Sequence, residues 1–286
     1  MDGEQATNTD PTGQWSLVVP LKPLSLAKSR LTGAAGNALR PRLALAFAQD
    51  TVAAALACRA VRDVAVVTDD PKAAAALTAL GARVVPDTPA SGLNAALAHG
   101  ARAVREARAD SPVAALNADL PALRPAELAR VLGAAAAFPR AFLADAAGIG
   151  TTLLAARAGV ELNPAFGGPS RERHLSSGAV EIVLAGVDSV RRDVDTGQDL
   201  LVAAALGLGP YTARRYAAVM QATAYTYESD SRSGSVLLDD GTPVEFDAAA
   251  FDAGGLRLLR PGQRVRIETE GDGTSRRITL VTLQTF

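Results

Sequence analysis

The chain has 286 residues, 48% hydrophobic and 21% charged, with a formal net charge of −1. That supplies a sizeable core for one large domain or a medium and a small one, and it lacks the basic excess of a general nucleic-acid or membrane-surface protein. A single cysteine, Cys58, excludes an intramolecular disulfide framework and fits a reducing, cytoplasmic setting, and no run of about 18 apolar residues marks a membrane span.

Residues 1–14 are polar, lack an apolar signal core and are expected to form a disordered tail. The first strand is expected at Ser16–Leu21, followed by a loop with two of the chain's three lysines, Lys22 and Lys28, and with Arg30. Cations held at a sheet edge suit a polyphosphate, because Lys and Arg supply charge and hydrogen bonds to its oxygens. Alone, such a loop reads better as a solvated connection. Its reading as a phosphate cradle depends on what later strands bring to it.

A helix is expected at Pro41–Cys58 and a strand at Asp63–Val67. Thr68, Asp69 and Asp70 follow; they read first as a cap for the helix Pro71–Leu80 and second as ligand contacts. After a strand at Arg83–Pro86, Gly92 and Asn94 open a helix at Gly92–Glu106. Glycine lets a planar base approach the backbone, and first-turn N–H groups can bind it or a phosphate, but an ordinary helix start fits equally. The strand Val113–Asn117 runs into Ala118-Asp119-Leu120-Pro121, where an acid stiffened by proline suits Mg²⁺ on a nucleoside triphosphate. Asn117 offers a second oxygen two residues earlier.

A helix at Pro125–Ala136 and strands at Ala141–Ala144, Thr152–Ala155 and Val180–Leu184 come next. Between them, Gly150-Thr151-Thr152 and the run from Phe166 through Gly167, Gly168, Ser170 and Arg171 to His174 suggest a second anion site for a small phosphate or carboxylate. His174 reads as a packed or capping residue before a substrate contact, and His99 and Cys58 as structural. A second acidic cluster, Asp193-Val194-Asp195-Thr196, precedes a helix at Gln198–Leu206. Two carboxylates from distant strand ends at one metal would clamp phosphates for in-line attack.

Alternating strands and helices imply an α/β fold: a mostly parallel sheet with helices on both faces and ligands beyond the carboxyl ends of the strands. The pattern changes near Arg215, and Gly207–Arg215 reads as the approach to a boundary between residues 15–216 and 217–286. Five short strands separated by turns then suggest a small OB-type β-barrel.

Residues 15–216 resemble the phosphoenolpyruvate/2-phospho-L-lactate guanylyltransferases of deazaflavin coenzyme (F-420) biosynthesis. The resemblance rests on the loop from Val19 to Leu31, Gly92–Leu97, Ala118–Pro121, Gly150–Leu154, the Phe166…Ser170…His174 run and Asp193–Thr196, in the family order. It implies a nucleotide-diphospho-sugar-transferase-like fold and attack of a small three-carbon phosphorylated acid on the α-phosphorus of GTP. Carried across, Thr152, Gly167 and Ser170 would bind phosphoenolpyruvate. Asp119 would hold Mg²⁺ with Asp193 or Asp195, and an acid before a threonine favours Asp195. Asn117 departs from related sites that carry an acid there. Lys22, Lys28 and Arg30 would stabilise the triphosphate and leaving pyrophosphate, while Gly92 and Asn94 would serve the nucleotide.

The C-terminal segment weakly resembles a cold-shock domain from Met220 to about Leu283. Residues 219–286 hold 7 Arg and no Lys against 10 Asp plus Glu, a net of −3, and serines stand where stacking aromatics are expected. Nucleic-acid binding is therefore not expected. The segment reads as a structural appendage, or as a docking module for a second copy of the chain or a downstream F-420 pathway enzyme. The alternative functions are another nucleotidyltransferase of this fold, acting on a molybdopterin or sugar phosphate, and a nucleic-acid-binding protein with a degenerate enzyme domain.

Overall fold

The computed structural model describes residues 14–25, 32–88, 90–271 and 276–283. Two compact units emerge, one from the chain up to Lys22 plus Thr51–Asp193, the other from Pro23–Asp50 plus Val194 onward.

The first unit carries a seven-stranded sheet: β1 (Trp15–Pro20), β2 (Val61–Val67), β3 (Arg83–Val85), β4 (Val113–Leu116), β5 (Arg140–Ala144), β6 (Thr151–Ala156) and β7 (Val180–Glu181), in the order β3-β2-β1-β4-β6-β5-β7. Its helices include α2 (Pro71–Thr78), α3 (Leu93–Ala107), α4 (Pro125–Ala135), α5 (Ser170–Ser176) and α6 (Asp188–Arg191). The long α1 (Thr32–Leu56) joins β1 to β2. Alternate strand residues Val18, Ala65, Val67, Val113 and Ala115 pack in one cluster with Leu97, Ala101 and Val104 of α3. The intervening Leu17, Val19, Val64, Val66, Ala114 and Leu116 are just as buried, so both faces of the sheet are covered.

The sheet is mostly parallel, as the sequence leads one to expect, with one exception. β6 runs antiparallel to β4 and β5, because a tight turn joins it to β5. The Asp145 carboxylate fixes that turn by accepting the N–H groups of Ile149 at 2.9 Å and Gly150 at 2.8 Å. Two expected boundaries also move. α1 begins at Thr32 and runs through Pro41, and the strand expected at Val180–Leu184 is the two-residue β7 on the sheet edge.

The second unit holds α7 (Gly197–Leu206), α8 (Pro210–Ala218) and a five-stranded antiparallel sheet. The strands are β8 (Val219–Glu228), β9 (Ser233–Leu238), β10 (Pro243–Phe246), β11 (Arg264–Glu270) and β12 (Arg277–Leu283), in the order β10-β9-β8-β11-β12, with α9 (Ala248–Ala253) before β11. Its core gathers Val236, Phe246, Phe251, Val265, Ile267 and Val281. The stretch read as a connection, Gly207–Arg215, is largely α8. Its start is capped from afar: the buried Asp50 carboxylate accepts the N–H groups of Tyr211 at 3.0 Å and Thr212 at 2.7 Å. On β11, Glu268 is 1% exposed, paired with Arg42 and 4.0 Å from Arg215. These bonds explain why residues 23–50 belong with the C-terminal sheet.

Among the described residues no helix is long and apolar enough to cross a membrane. Cys58 is buried, and burial pushes its thiol pKa up, away from reactivity.

Candidate active site

The chain leaves β1 to build β2 and β3 on one side, then returns to place β4 on the other. In a parallel sheet such a reversal opens a crevice at the carboxyl ends of the two strands. Ser16 faces Val113 and Val18 faces Ala115. Lys22 follows the end of β1 by two residues and Asp119 the end of β4 by three. Leu21 donates its N–H to Val67 O at 2.9 Å, holding the chain in line with β2 as Lys22 emerges exposed. Lys28 and Arg30 lie outside the described residues.

Asp119 is half-buried on a loop fixed from both sides. Asn117 donates its N–H to Thr152 O at 3.0 Å, and its side-chain amide approaches Thr151 O at 3.4 Å. The buried Thr51 hydroxyl donates to Ala118 O at 3.2 Å and accepts the Leu120 N–H at 3.0 Å, gripping the residues that flank Asp119. Sequence reasoning missed Thr51, which lies within a helix and carries no motif of its own. After β2, Asp70 caps α2 by accepting the N–H groups of Lys72 and Ala73, both at 3.0 Å, and Asp69 accepts the Asp87 N–H at 2.9 Å. The structural reading of that cluster holds.

The second group of expected residues is drawn together by hydrogen bonds. Gly92 caps α3 at φ 96°, with open space where a side chain would stand. Asn94, on the first turn, does not present a free amide: its Nδ2 donates to Phe166 O at 3.1 Å and its Oδ1 accepts the Phe166 N–H at 2.8 Å. Gly167 follows at φ 94°, also with open space at its Cβ position, and Ser170 begins α5 almost fully buried. His174 is fully buried, edge-on to Phe166 and tilted against Phe142. Its Nε2 accepts the Ala165 N–H at 3.0 Å, so the ring proton sits on Nδ1 and is donated to Thr151 Oγ1 at 2.9 Å. Burial, then the nearby Arg140 and Arg173 charges, hold its pKa down at about 4. His174 is thus a neutral packed residue, as its helical position suggested.

Thr152 stands apart. The β5–β6 register slips so that Leu143 faces Leu153 while Ala144 faces Thr151, leaving Thr152 as the extra residue of a bulge. Its hydroxyl is buried and has no hydrogen-bond partner among the described residues. A buried hydroxyl in that state is costly. The bulge depends on the β5 pairing and was not visible in the sequence.

Asp193 is half-buried in the first unit, two residues after α6. Arg191, at the end of α6, donates to Asp145 O at 3.1 Å and accepts the Ala146 N–H at 2.8 Å, tying the approach to Asp193 to the β5–β6 turn. Asp195 is exposed and belongs to the second unit, where Thr196 and Asp199 form a capping box for α7. Among the described residues no three or more His, Cys, Asp or Glu gather as a metal cage. The carboxylates on hand are hard oxygen donors, which suit Mg²⁺ bound through one or two acids plus phosphates and water.

The sheet order, with its crevice after β1 and β4 and an acid on the β4 loop, suits an α/β nucleotidyltransferase, and comparison with known proteins shows that class. A family model described as "MobA-like NTP transferase domain" matches residues 37–204. Proteins named phosphoenolpyruvate guanylyltransferase match closely. That of Streptomyces avermitilis is 71% identical over 200 residues, covering 70% of this chain and 93% of its own. That of Thermomonospora curvata is 62% identical over 207 residues, covering 72% and 90%. A solved nucleotidyl transferase from Methanothermobacter thermautotrophicus shares the fold at TM-score 0.51 and 24% identity, over 68% of this chain and 97% of that one. The chain belongs to the MobA-like NTP transferases and, within them, to the phosphoenolpyruvate guanylyltransferase family. The C-terminal sheet lies outside the family match.

Proposed function

We propose that this nucleotidyltransferase moves the guanylyl group of GTP to phosphoenolpyruvate, as a step towards coenzyme F-420. The observation that carries this reading is the 71% identity to a phosphoenolpyruvate guanylyltransferase across 93% of that protein. A phosphate oxygen of the acid forms a bond to the α-phosphorus, the bond from that phosphorus to the bridging oxygen of the β-phosphate breaks, and pyrophosphate leaves. The products are enolpyruvyl-diphospho-guanosine and pyrophosphate. The attacking phosphate is already an oxyanion, so no general base is needed and catalysis is positioning and charge neutralisation.

Lys22 serves the triphosphate, joined in this reading by Lys28 and Arg30. The Thr152 hydroxyl, the Gly167 N–H and Ser170 hold the acceptor; the buried Thr152 hydroxyl, which has no hydrogen-bond partner among the described residues, supports this. Asp119 and Asp193, both in the first unit, would hold Mg²⁺, and their all-oxygen chemistry fits it. Mg²⁺ would supply charge neutralisation at the phosphates. Gly92 lies on the nucleotide side, where the backbone at φ 96° leaves room for a planar base.

For the C-terminal sheet we propose an OB-type barrel that serves as an appendage rather than a nucleic-acid reader. Its five-stranded antiparallel order supports the first point. Its net charge of −3 and the burial of Phe246 and Phe251 in its core support the second. Single-strand binding by the full chain at physiological salt would overturn it.

The enzymatic reading is tested by incubating the protein with GTP, Mg²⁺ and, separately, phosphoenolpyruvate, 2-phospho-L-lactate or 3-phosphoglycerate, and weighing the products. A guanylylated phosphoenolpyruvate is expected. Transfer only to a molybdopterin or a sugar phosphate, or no transfer at all, would overturn it.

A further inference from the structure

The loop from Asn163 to Phe166 has little secondary structure of its own, yet side chains hold its backbone almost residue by residue. Arg140 donates to Asn163 O at 3.2 Å, His174 Nε2 accepts the Ala165 N–H at 3.0 Å, and Arg173 donates to Ala165 O at 3.1 Å. Asn94 then takes both the N–H and the carbonyl of Phe166. The grip stops there. Among the described residues neither Gly167 nor Gly168 spends its N–H on a backbone carbonyl, and the chain is next tied by Ser170 N–H to Gly168 O at 2.8 Å. Two positive-φ glycines thus stand between a clamped residue and a helix start. His174 also reaches Thr151, the neighbour of Thr152, so one ring fixes both the strand and the loop.

We propose that Asn94 and His174 are positioning residues for the acceptor: together they lock Ala165 and Phe166 so that Gly167 and Thr152 face the phosphorylated acid in a fixed geometry. Asn94 does this from the first turn of α3, so an amide whose sequence position suggests base recognition works on the acceptor side. The planar amide suits the task. It pairs with one residue's N–H and C=O as a neighbouring strand would, which a shorter or apolar side chain cannot do. Losing that pairing frees the loop to sample other conformations, and the cost falls on whichever substrate needs the loop.

This inference rests on the acceptor site proposed above. It is tested by steady-state kinetics of Asn94→Ala, Asn94→Asp and His174→Gln, with GTP and phosphoenolpyruvate varied in turn and folding followed by thermal melting. Asn94→Ala should raise the KM for phosphoenolpyruvate about tenfold or more, the loss of two hydrogen bonds, with the KM for GTP within about twofold. Asn94→Asp keeps the acceptor for the Phe166 N–H and should fall between wild type and Asn94→Ala; it carries the test if the alanine variant does not fold. His174→Gln should raise the same KM. A rise in the KM for GTP alone, or acceptor kinetics unchanged in the folded variants, would overturn the inference while leaving the guanylyltransferase reading intact. A wild type that guanylylates no phosphorylated acid would overturn both.

Discussion

Thr51 and Leu120 are 69 residues apart, yet the Thr51 hydroxyl accepts the Leu120 N–H at 3.0 Å while donating to Ala118 O. One side chain thus stitches together both sides of Asp119. Thr51→Val keeps the shape and removes the hydroxyl, leaving a buried N–H unpaired at a cost of about 1–3 kcal/mol. The expected outcome is a lower melting temperature together with a reduced kcat, because the Asp119 carboxylate loses its fixed aim. Thr51→Ser retains the oxygen and should stay close to wild type. Equal turnover by the valine variant would show that Asp119 needs no such support.

Asp119→Ala tests the acid itself. If Asp119 holds Mg²⁺ as proposed, its removal should cost on the order of 3 kcal/mol or more, about 100-fold or more in kcat. Circular dichroism and melting should show a folded protein, since Thr51 bonds the backbone on either side and not the carboxylate. Near-normal guanylyl transfer by this variant would remove Asp119 from the metal site.

Thr152 separates function from stability. Its hydroxyl is buried without a partner among the described residues, so Thr152→Val should leave the free protein as stable as wild type or more so, by up to about 1–3 kcal/mol. The same change should raise the KM for the phosphorylated acid about tenfold, the loss of one hydrogen bond to a charged group. A variant both less stable and kinetically normal would mark Thr152 as a packing residue.

What the sequence made legible follows from the range of the interaction that decides each feature. The cap at Asp70 is local, spanning two or three residues, and the strands of the first unit carry apolar runs that announce themselves. α8 was missed because its cap is Asp50, 161 residues away for Tyr211, while Gly207, Gly209 and Pro210 signal a turn. The full length of α1 was hidden by Pro41, which reads as a first-turn residue although here it lies in the interior. Asn94 stands out in the sequence as an amide at a helix start, but its pairing with Phe166 does not, since that partner lies 72 residues on.

Glu268 tests the attachment of the C-terminal sheet within its unit. Its carboxylate is 1% exposed, while Arg42 and Arg215 are 31% and 41% exposed. Breaking a fully buried pair costs about 3–5 kcal/mol; the solvent contact of both arginines brings the expected cost of Glu268→Ala down to about 1–3 kcal/mol. Chemical denaturation should show an earlier midpoint, and limited proteolysis faster cleavage in α8 or β11. Glu268→Gln keeps a hydrogen-bond acceptor for Arg42 and should lose less.

His174 gives the fold an acid sensitivity whose sign is fixed by its surroundings. Burial and the Arg140 and Arg173 charges lower its pKa from 6.5 to about 4 in the folded protein, so between those values the unfolded chain takes up a proton that the folded one refuses. Stability is therefore full above about pH 6.5, declines as pH falls towards 4, and changes no further from this group below that. The total is on the order of 3 kcal/mol, with a slope of about 1.4 kcal/mol per pH unit at its steepest. Protonation would also place a donor on Nε2 facing the Ala165 N–H, which can only repel it. Other groups titrate in part of this window, so the measurement is a difference: unfolding free energy against pH for wild type and for His174→Gln, whose side chain stays neutral. The difference curve should fall with the slope of one proton between pH 6.5 and 4, while acceptor binding by the native protein should weaken only as pH falls through about 4, where the folded ring takes its proton and releases the Ala165 N–H. A flat difference would mean that the ring is charged or solvated in the native state, contrary to its bonds to Thr151 and Ala165.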